Sequence, residues 1–265
     1  MLTLEPMTAP AGRIARRNPA AKLGVVAVIS IAAVTTTDPL TPSILLAAEL
    51  LALPFCGIRL GVFFRRCRLL LFGAVSVTLV NALFAAEQGP ELIHLGPLRI
   101  GETALFTGAA LGLRMLAVAV PGVVVFATTD PTDLADSLVQ QLRAPARFAI
   151  GALAAFRMLP LLAAEWELIT MARRARGVDA GADPVARGRL FASTMFALLV
   201  GAIRRGTRLA TAMDARGFDA GTPRTIARPQ RMRTADWALL GAATVVAAGA
   251  VAVSVAAGTF QALFA

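Results

Sequence analysis

The sequence predicts an all-α integral membrane protein of about five transmembrane helices, joined to a cytoplasmic domain of two long amphipathic helices and one short one. Three observations lead there. Hydrophobic residues make up 57% of the 265 positions, with a mean hydropathy of +0.70, too apolar for a soluble domain of this size. The net charge of +10 comes from arginines set beside apolar runs, the arrangement of cytoplasmic loops under the positive-inside rule. Finally, the stretch Ala175-Arg176-Gly177-Val178-Asp179-Ala180-Gly181 returns forty positions later as Ala215-Arg216-Gly217-Phe218-Asp219-Ala220-Gly221, with one position changed.

Taken in order, residues 1–21 form a cytoplasmic N-terminal extension. Arg16-Arg17 ahead of an apolar run has the look of a twin-arginine export signal. However, Pro19-Ala20 stand where such signals carry an apolar residue, and no small-x-small cleavage site follows. A retained cytoplasmic N-terminus is expected. Residues 22–127 hold spans 1 to 4, read as apolar stretches approaching the roughly 20 helical residues that cross about 30 Å of hydrocarbon. They cover 22–37, 40–57, 69–86 and 103–127, with Thr37-Asp38-Pro39 turning the first into the second and Pro121-Gly122 kinking the fourth. Arg59, Arg65, Arg66 and Arg68 crowd the loop after span 2, which is therefore cytoplasmic. The loop after span 3 holds Glu87, Glu91, His94, Arg99 and Glu102 and is external. A fifth span fills 237–265, so the segment 128–236 must begin and end inside.

That segment contains apolar stretches at 148–163 and 190–203, each short for a crossing, and the first is interrupted by Arg157 and Pro160. Two long helices at the cytoplasmic membrane surface, partly sunk in it and packed on each other, fit better. In the second, Ile203, Leu209, Ala210 and Met213 make an apolar stripe opposite Arg204, Arg205, Arg208 and Thr211. A third, short helix runs from 132 to 142, capped by Asp130 and Asp133.

The repeated heptapeptide closes each long helix. Gly177 and Gly217 can adopt the left-handed conformation of a helix end, and Val178 or Phe218 can fold back on the last turn. Arg176 and Arg216 then lie where the helix dipole favours a cation, with a guanidinium free to fork onto a carboxylate. Two matched cationic tips on one asymmetric chain suit a partner that is itself a two-fold dimer. Asp179 and Asp219 hold the turn after each cap. Lipid phosphate is the rival ligand for these arginines, but Arg173, Arg174, Arg204, Arg205 and Arg208 would serve headgroups without any Gly-Val-Asp or Gly-Phe-Asp sequel.

Other chemistries find less support. Asp130, Asp133 and Asp136, with Asp179 and Asp183, have the spacing of a Mg²⁺-dependent membrane prenyltransferase, the alternative reading. Nucleic acid is set aside because no basic platform interleaved with aromatics occurs. Cys56 and Cys67, on the cytoplasmic side, read as packing thiols, and His94 is the single histidine. Arg114, midway along span 4, is expected to face the bundle interior near Asn81 of span 3, and the small residues Gly108, Ala109, Ala110 and Gly112 allow close helix contact, within the bundle or with a partner in the bilayer.

Thr128-Thr129-Asp130-Pro131-Thr132-Asp133-Leu134, Phe156-Arg157-Met158-Leu159-Pro160 and the two Ala-Arg-Gly tips together resemble the T component (EcfT) of energy-coupling factor transporters, and the resemblance runs from Asn18 through the last span. It implies a non-catalytic scaffold of the cell membrane, in a vitamin- and metal-importing branch of ATP-binding-cassette transporters. By resemblance, residues 128–236 are coupling helices whose Ala175-Arg176-Gly177 and Ala215-Arg216-Gly217 ends dock into two ATPase subunits. ATP and Mg²⁺ are then bound by those partners, which agrees with the lack of a Walker-type loop here. A substrate-binding membrane S component packs against the spans, and Pro160 and Gly201 are candidate points of bending.

Overall fold

In the computed structural model, which describes residues 12–58, 60–85, 89–95, 98–181, 183–218 and 225–260, the chain is helical apart from one short hairpin. Its helices are α1 (Pro19–Thr35), α2 (Leu40–Ala52, followed by a 3₁₀ turn, Leu53–Cys56), α3 (Leu60–Phe84), α4 (Glu102–Thr128), α5 (Pro131–Gln140), α6 (Ala146–Ala175), α7 (Pro184–Ala215) and α8 (Thr234–Ala256). Strands β1 (Glu91–Leu95) and β2 (Leu98–Gly101) pair antiparallel between α3 and α4, with His94 opposite Arg99 and an irregularity between Glu91 and Ile93. The sequence reading has no strand there. Ile93, Ile100, Leu95 and Leu98 supply the β-branched and apolar content that pairing favours.

The chain divides into two units, residues 1–142 with 230–265, and residues 143–229. This boundary differs from the expected division at 128 and 236, because α5 packs on α1 in the first unit. Gln141 also donates to the Gln230 carbonyl at 2.9 Å, and the Gln230 N–H donates to Gln140 Oε1 at 2.8 Å. The chain thus leaves the first unit and returns to it at adjacent positions.

Among the described residues five helices are long and apolar enough to cross a membrane: α3 over Cys67–Phe84, α4, α6, α7 and α8. The number agrees with the sequence reading, but the membership differs. α1, at 17 residues, and Leu40–Cys56 are shorter apolar helices, whereas α6 and α7 extend to 30 and 32 residues. The apolar cores at 148–163 and 190–203 are lengthened at both ends by Ala and Arg, good helix formers that continue a helix past its apolar stretch. The same property explains a second difference: Arg65, Arg66 and Arg68 lie in the first turns of α3, not in a loop. Pro121 and Pro160 are inside α4 and α6, and both helices run on through them.

In the first unit α4 is central, packing on α1, α2 and most extensively on α3. The close approach to α3 needs glycine. A Cβ at Gly108 would lie 2.6 Å from the Thr78 carbonyl oxygen, and one at Gly112 would lie 2.3 Å from Thr78 Oγ1. These two small residues, four apart on one face, are therefore occupied by the chain's own α3 instead of a partner. α1, α2, α4 and α8 converge on Ile29, Ala33, Leu45, Ala117, Ala247 and Ala250.

Polar contacts fix the helix directions. At one end Asn18 caps α1, accepting from the Ala20 N–H, while its own N–H donates to Asp236 Oδ1 at 3.3 Å. Lys22 donates to the carbonyls of Ala15 and Thr128 at 2.8 and 2.9 Å and to Thr129 Oγ1 at 3.3 Å. At the other end Asp38, in the turn before α2, accepts from the Thr41 N–H and hydroxyl at 2.9 and 3.0 Å and from the Ser254 hydroxyl at 2.7 Å. Residue 18 beside 236 and 38 beside 254 make α1 and α8 parallel. Lys22 beside Thr128 makes α4 antiparallel to both.

Arg114 also departs from expectation. Its guanidinium Nη2 donates to the Thr36 carbonyl at the end of α1, while Asn81 Nδ2 donates to Val77 of its own helix at 2.9 Å. The open carbonyl left by the end of α1 is a stronger attraction for a membrane cation than an amide that can satisfy itself locally.

Burial opposes ionisation of Asp38. The Thr41 N–H and the Ser254 and Thr41 hydroxyls outweigh it and hold the carboxyl below its ordinary value. Its stabilising contribution is present above the ordinary carboxylate range and is lost as pH falls through the depressed value. Asp38→Ala strands the Thr41 and Ser254 donors and is expected to cost about 1–3 kcal/mol. Thermal unfolding of the purified chain in detergent should show this loss at neutral pH and a smaller difference from wild type in acid.

Candidate functional site

The two tips in the second unit have the same construction. α6 ends with Arg176 as its C-cap and Gly177 at φ +74°. The Gly177 N–H donates to Arg174 at 3.0 Å and the Val178 N–H to Arg173 at 2.9 Å. α7 ends with Arg216 and Gly217 at φ +72°. The Gly217 N–H donates to Asp214 at 2.9 Å and the Phe218 N–H to Met213 at 3.0 Å. These paired bonds, one spanning six residues and one four, define the Schellman end, which satisfies the last carbonyls by backbone alone. Arg176 and Arg216 have cap φ/ψ of −90°, 8° and −90°, 9°, and both are exposed. Each guanidinium is therefore carried on a fixed backbone corner.

Gly181 also has positive φ, at +50°, and its carbonyl accepts both Nε and Nη2 of Arg187, which ties the connecting turn to the first turns of α7. Asp183 caps α7, accepting from the Val185 N–H at 2.9 Å, and Asp179 is exposed in the turn. Asp219 lies outside the described residues.

α6 and α7 cross. Arg173 Nη1 donates to the Leu190 carbonyl at 3.1 Å, Ser193 Oγ at 2.6 Å and Thr194 Oγ1 at 2.8 Å, and Thr194 is buried. Arg205 meets Glu165 at 2.6 Å, and the Trp166 and Phe191 rings lie 5.4 Å apart. Gly201 faces Glu165, whose Oε1 would lie 3.4 Å from a Cβ there. Residue order reverses across this contact: the later α6 residue meets the earlier α7 residues, so the helices run in opposing directions. Arg173 and Arg205, grouped by the sequence with lipid-facing arginines, are used inside the unit. The signal missed was Glu165, which with Glu167 follows an apolar stretch and calls for a cation on the facing helix. On the apolar stripe of α7, Ile203 is 57% and Leu209 41% exposed.

The acidic residues of the alternative reading have structural employment. Asp130 caps α5, accepting from the Thr132 N–H at 2.7 Å, and Asp133 accepts from Gln230 Nε2 at 3.3 Å. Among the described residues no three His, Cys, Asp or Glu side chains gather as metal ligands.

These features define a multi-pass α-helical membrane protein that presents two matched arginine-tipped helix ends. The model of the cobalt transport protein family, CbiQ, matches residues 13–226. The chain is 33% identical over 181 residues to the energy-coupling factor transporter transmembrane protein EcfT of Exiguobacterium sibiricum, covering 65% of this chain and 68% of that one. It is 30% identical over 210 residues to EcfT 1 of Listeria monocytogenes (74% and 75% covered) and 30% identical over 208 residues to EcfT of Lacticaseibacillus paracasei (75% and 78%). The chain belongs to the CbiQ/EcfT family, the transmembrane T components of energy-coupling factor transporters. It is a transport subunit and not an enzyme, which sets aside the prenyltransferase reading.

A Cβ on Gly177 meets nothing within 4 Å, so Gly177→Ala tests backbone strain alone. Holding alanine at positive φ costs about 1–2 kcal/mol. Hydrogen exchange should quicken at the Val178 amide while α1–α4 keep their protection.

Proposed function

We propose that this chain is the scaffold and energy-coupling subunit of an importer for a vitamin or a transition-metal ion, and that it grips two ATPase subunits through Arg176 and Arg216. ATP and Mg²⁺ would be held on those ATPases, identical or paired. A substrate-binding S component would pack against the spans, and closure of the ATPase pair would draw the two tips together and pass the movement through crossed α6 and α7 into the bilayer.

The observation that carries this reading is the identity of the two helix ends, down to cap angles and hydrogen bonds. A guanidinium held on a rigid corner loses little freedom when it forks onto a carboxylate. Topology supports laying α6 and α7 along the cytoplasmic surface. Only a short turn separates the end of α6 from the start of α7, so if both helices crossed the membrane, Arg216 would emerge on the face opposite Arg176. Two equal tips could not then reach one partner. Partial immersion of their exposed apolar side chains would reconcile a membrane-like composition with a surface position. The arginines that begin α3 favour a cytoplasmic position for that end of the bundle under the positive-inside rule, which would put the start of α1, the end of α4, the start of α8 and the N-terminus inside.

Arg176→Glu or Arg216→Glu should release the ATPases in pull-down from detergent, because an acidic partner left unpaired costs about 2–5 kcal/mol. Full recovery with both reversed would defeat the docking. Fusion reporters should place residue 94 outside and residue 225 inside, and an external 225 would overturn the surface placement of α6 and α7.

A further inference from the structure

In the first unit a partly open cavity of about 220 Å³ lies between α1, α2, α4 and α8. Its walls are mostly aliphatic, from Val25 and Ile29 of α1, Leu45 of α2, Val124 of α4 and Leu239 of α8, with Thr128, Cys56 and two residues of opposite ionisable type, Lys22 and Glu49.

These two are in opposite situations. The Lys22 ammonium has three protons to donate, and the Ala15 and Thr128 carbonyls with the Thr129 hydroxyl take them all. The polar atoms near it are also engaged: the Thr128 hydroxyl donates to Val124 at 2.8 Å and the Cys56 thiol to Ala52 at 3.5 Å. Glu49 has nothing. It is 8% exposed, and neither carboxyl oxygen has a hydrogen-bond partner. Native interiors rarely leave such a group orphaned, and one that lines a cavity is an acceptor awaiting a donor.

We propose that this cavity is a binding site for a small cationic amphiphile: a primary ammonium that pairs with the Glu49 carboxylate and a compact aromatic or branched aliphatic body that fills the aliphatic space. Size and charge agree. An apolar cavity of about 150 Å³ holds benzene, and the larger space here takes a ring with an aminomethyl arm. The carboxylate selects a cation, which Lys22, saturated and fixed, does not supply. A purely apolar guest would leave the Glu49 oxygens unpaired. An anionic guest would meet them with like charge. The site is distinct from the arginine tips and independent of the proposed ATPase docking.

The test uses 4-fluorobenzylamine and its neutral isostere 4-fluorobenzyl alcohol, followed by ¹⁹F NMR against the full chain in a detergent free of primary amines, with protein-free micelles as the baseline. The amine is expected to bind at least tenfold more tightly than the alcohol. Glu49→Gln should remove that preference and leave alcohol binding unchanged. Ala243→Phe, which fills the cavity while keeping Glu49, should abolish binding of both. Should Glu49→Gln not fold, the amine-to-alcohol ratio on the wild-type chain and its loss in Ala243→Phe still decide. Equal affinity of the two probes, no binding of either, or undiminished amine binding by Ala243→Phe would overturn the proposal. In nanodiscs, competition by phosphatidylethanolamine would assign the natural ammonium to a lipid headgroup. Its absence, with binding retained, would assign it to a soluble amine.

Discussion

The bundle depends on polar closure at the ends of α1. Lipid is as apolar as valine, so burial of aliphatic surface does little to decide which helix neighbours which. Lys22 and Asn18 at one end, with Asp38 and Thr36 at the other, make that decision. They bring Thr128, Asp236, Ser254 and Arg114 to defined positions, and so fix α4 and α8 around α1. Each of these groups would be costly to leave unmatched in a low-dielectric interior, and the requirement to match them selects one arrangement from many of similar apolar packing.

The second unit follows a different logic. Its two helices touch over a short stretch and leave most of their apolar side chains open. What locates the crossing is a set of directional contacts, Arg173 onto Ser193 and Thr194, and Arg205 onto Glu165. An exposed ion pair of this kind contributes about 0–1 kcal/mol. The crossing is thus held by geometry more than by energy, as suits an element proposed to change its angle.

Much of this was legible in the chain. The tips were, because a left-handed residue after a helix is a local matter and glycine announces it. α5 was, because a capping Asp and a Pro at the first turn write a helix start in four residues. The start of α3 was not, since Arg65, Arg66 and Arg68 continue a helix silently where the charges suggested a loop. The partners of Arg114 and Glu165 were not legible either, because pairing across 78 or 40 residues depends on which helices meet. The resemblance to EcfT, carried by three motifs, identified the family from residues whose joint roles no single motif states.

The position of the crossing makes α6 and α7 levers of unequal gearing. With a rise of about 1.5 Å per residue, the fulcrum stands about 10 Å from the arginine of α6 but about 27 Å from that of α7. An equal tug on both would swing α6 through the wider arc. Its long opposite limb, about 35 Å from fulcrum to start, would sweep several times the distance of its tip. The limb of α7 would sweep less than its own tip, so a symmetric motor acting on this frame would produce a one-sided stroke.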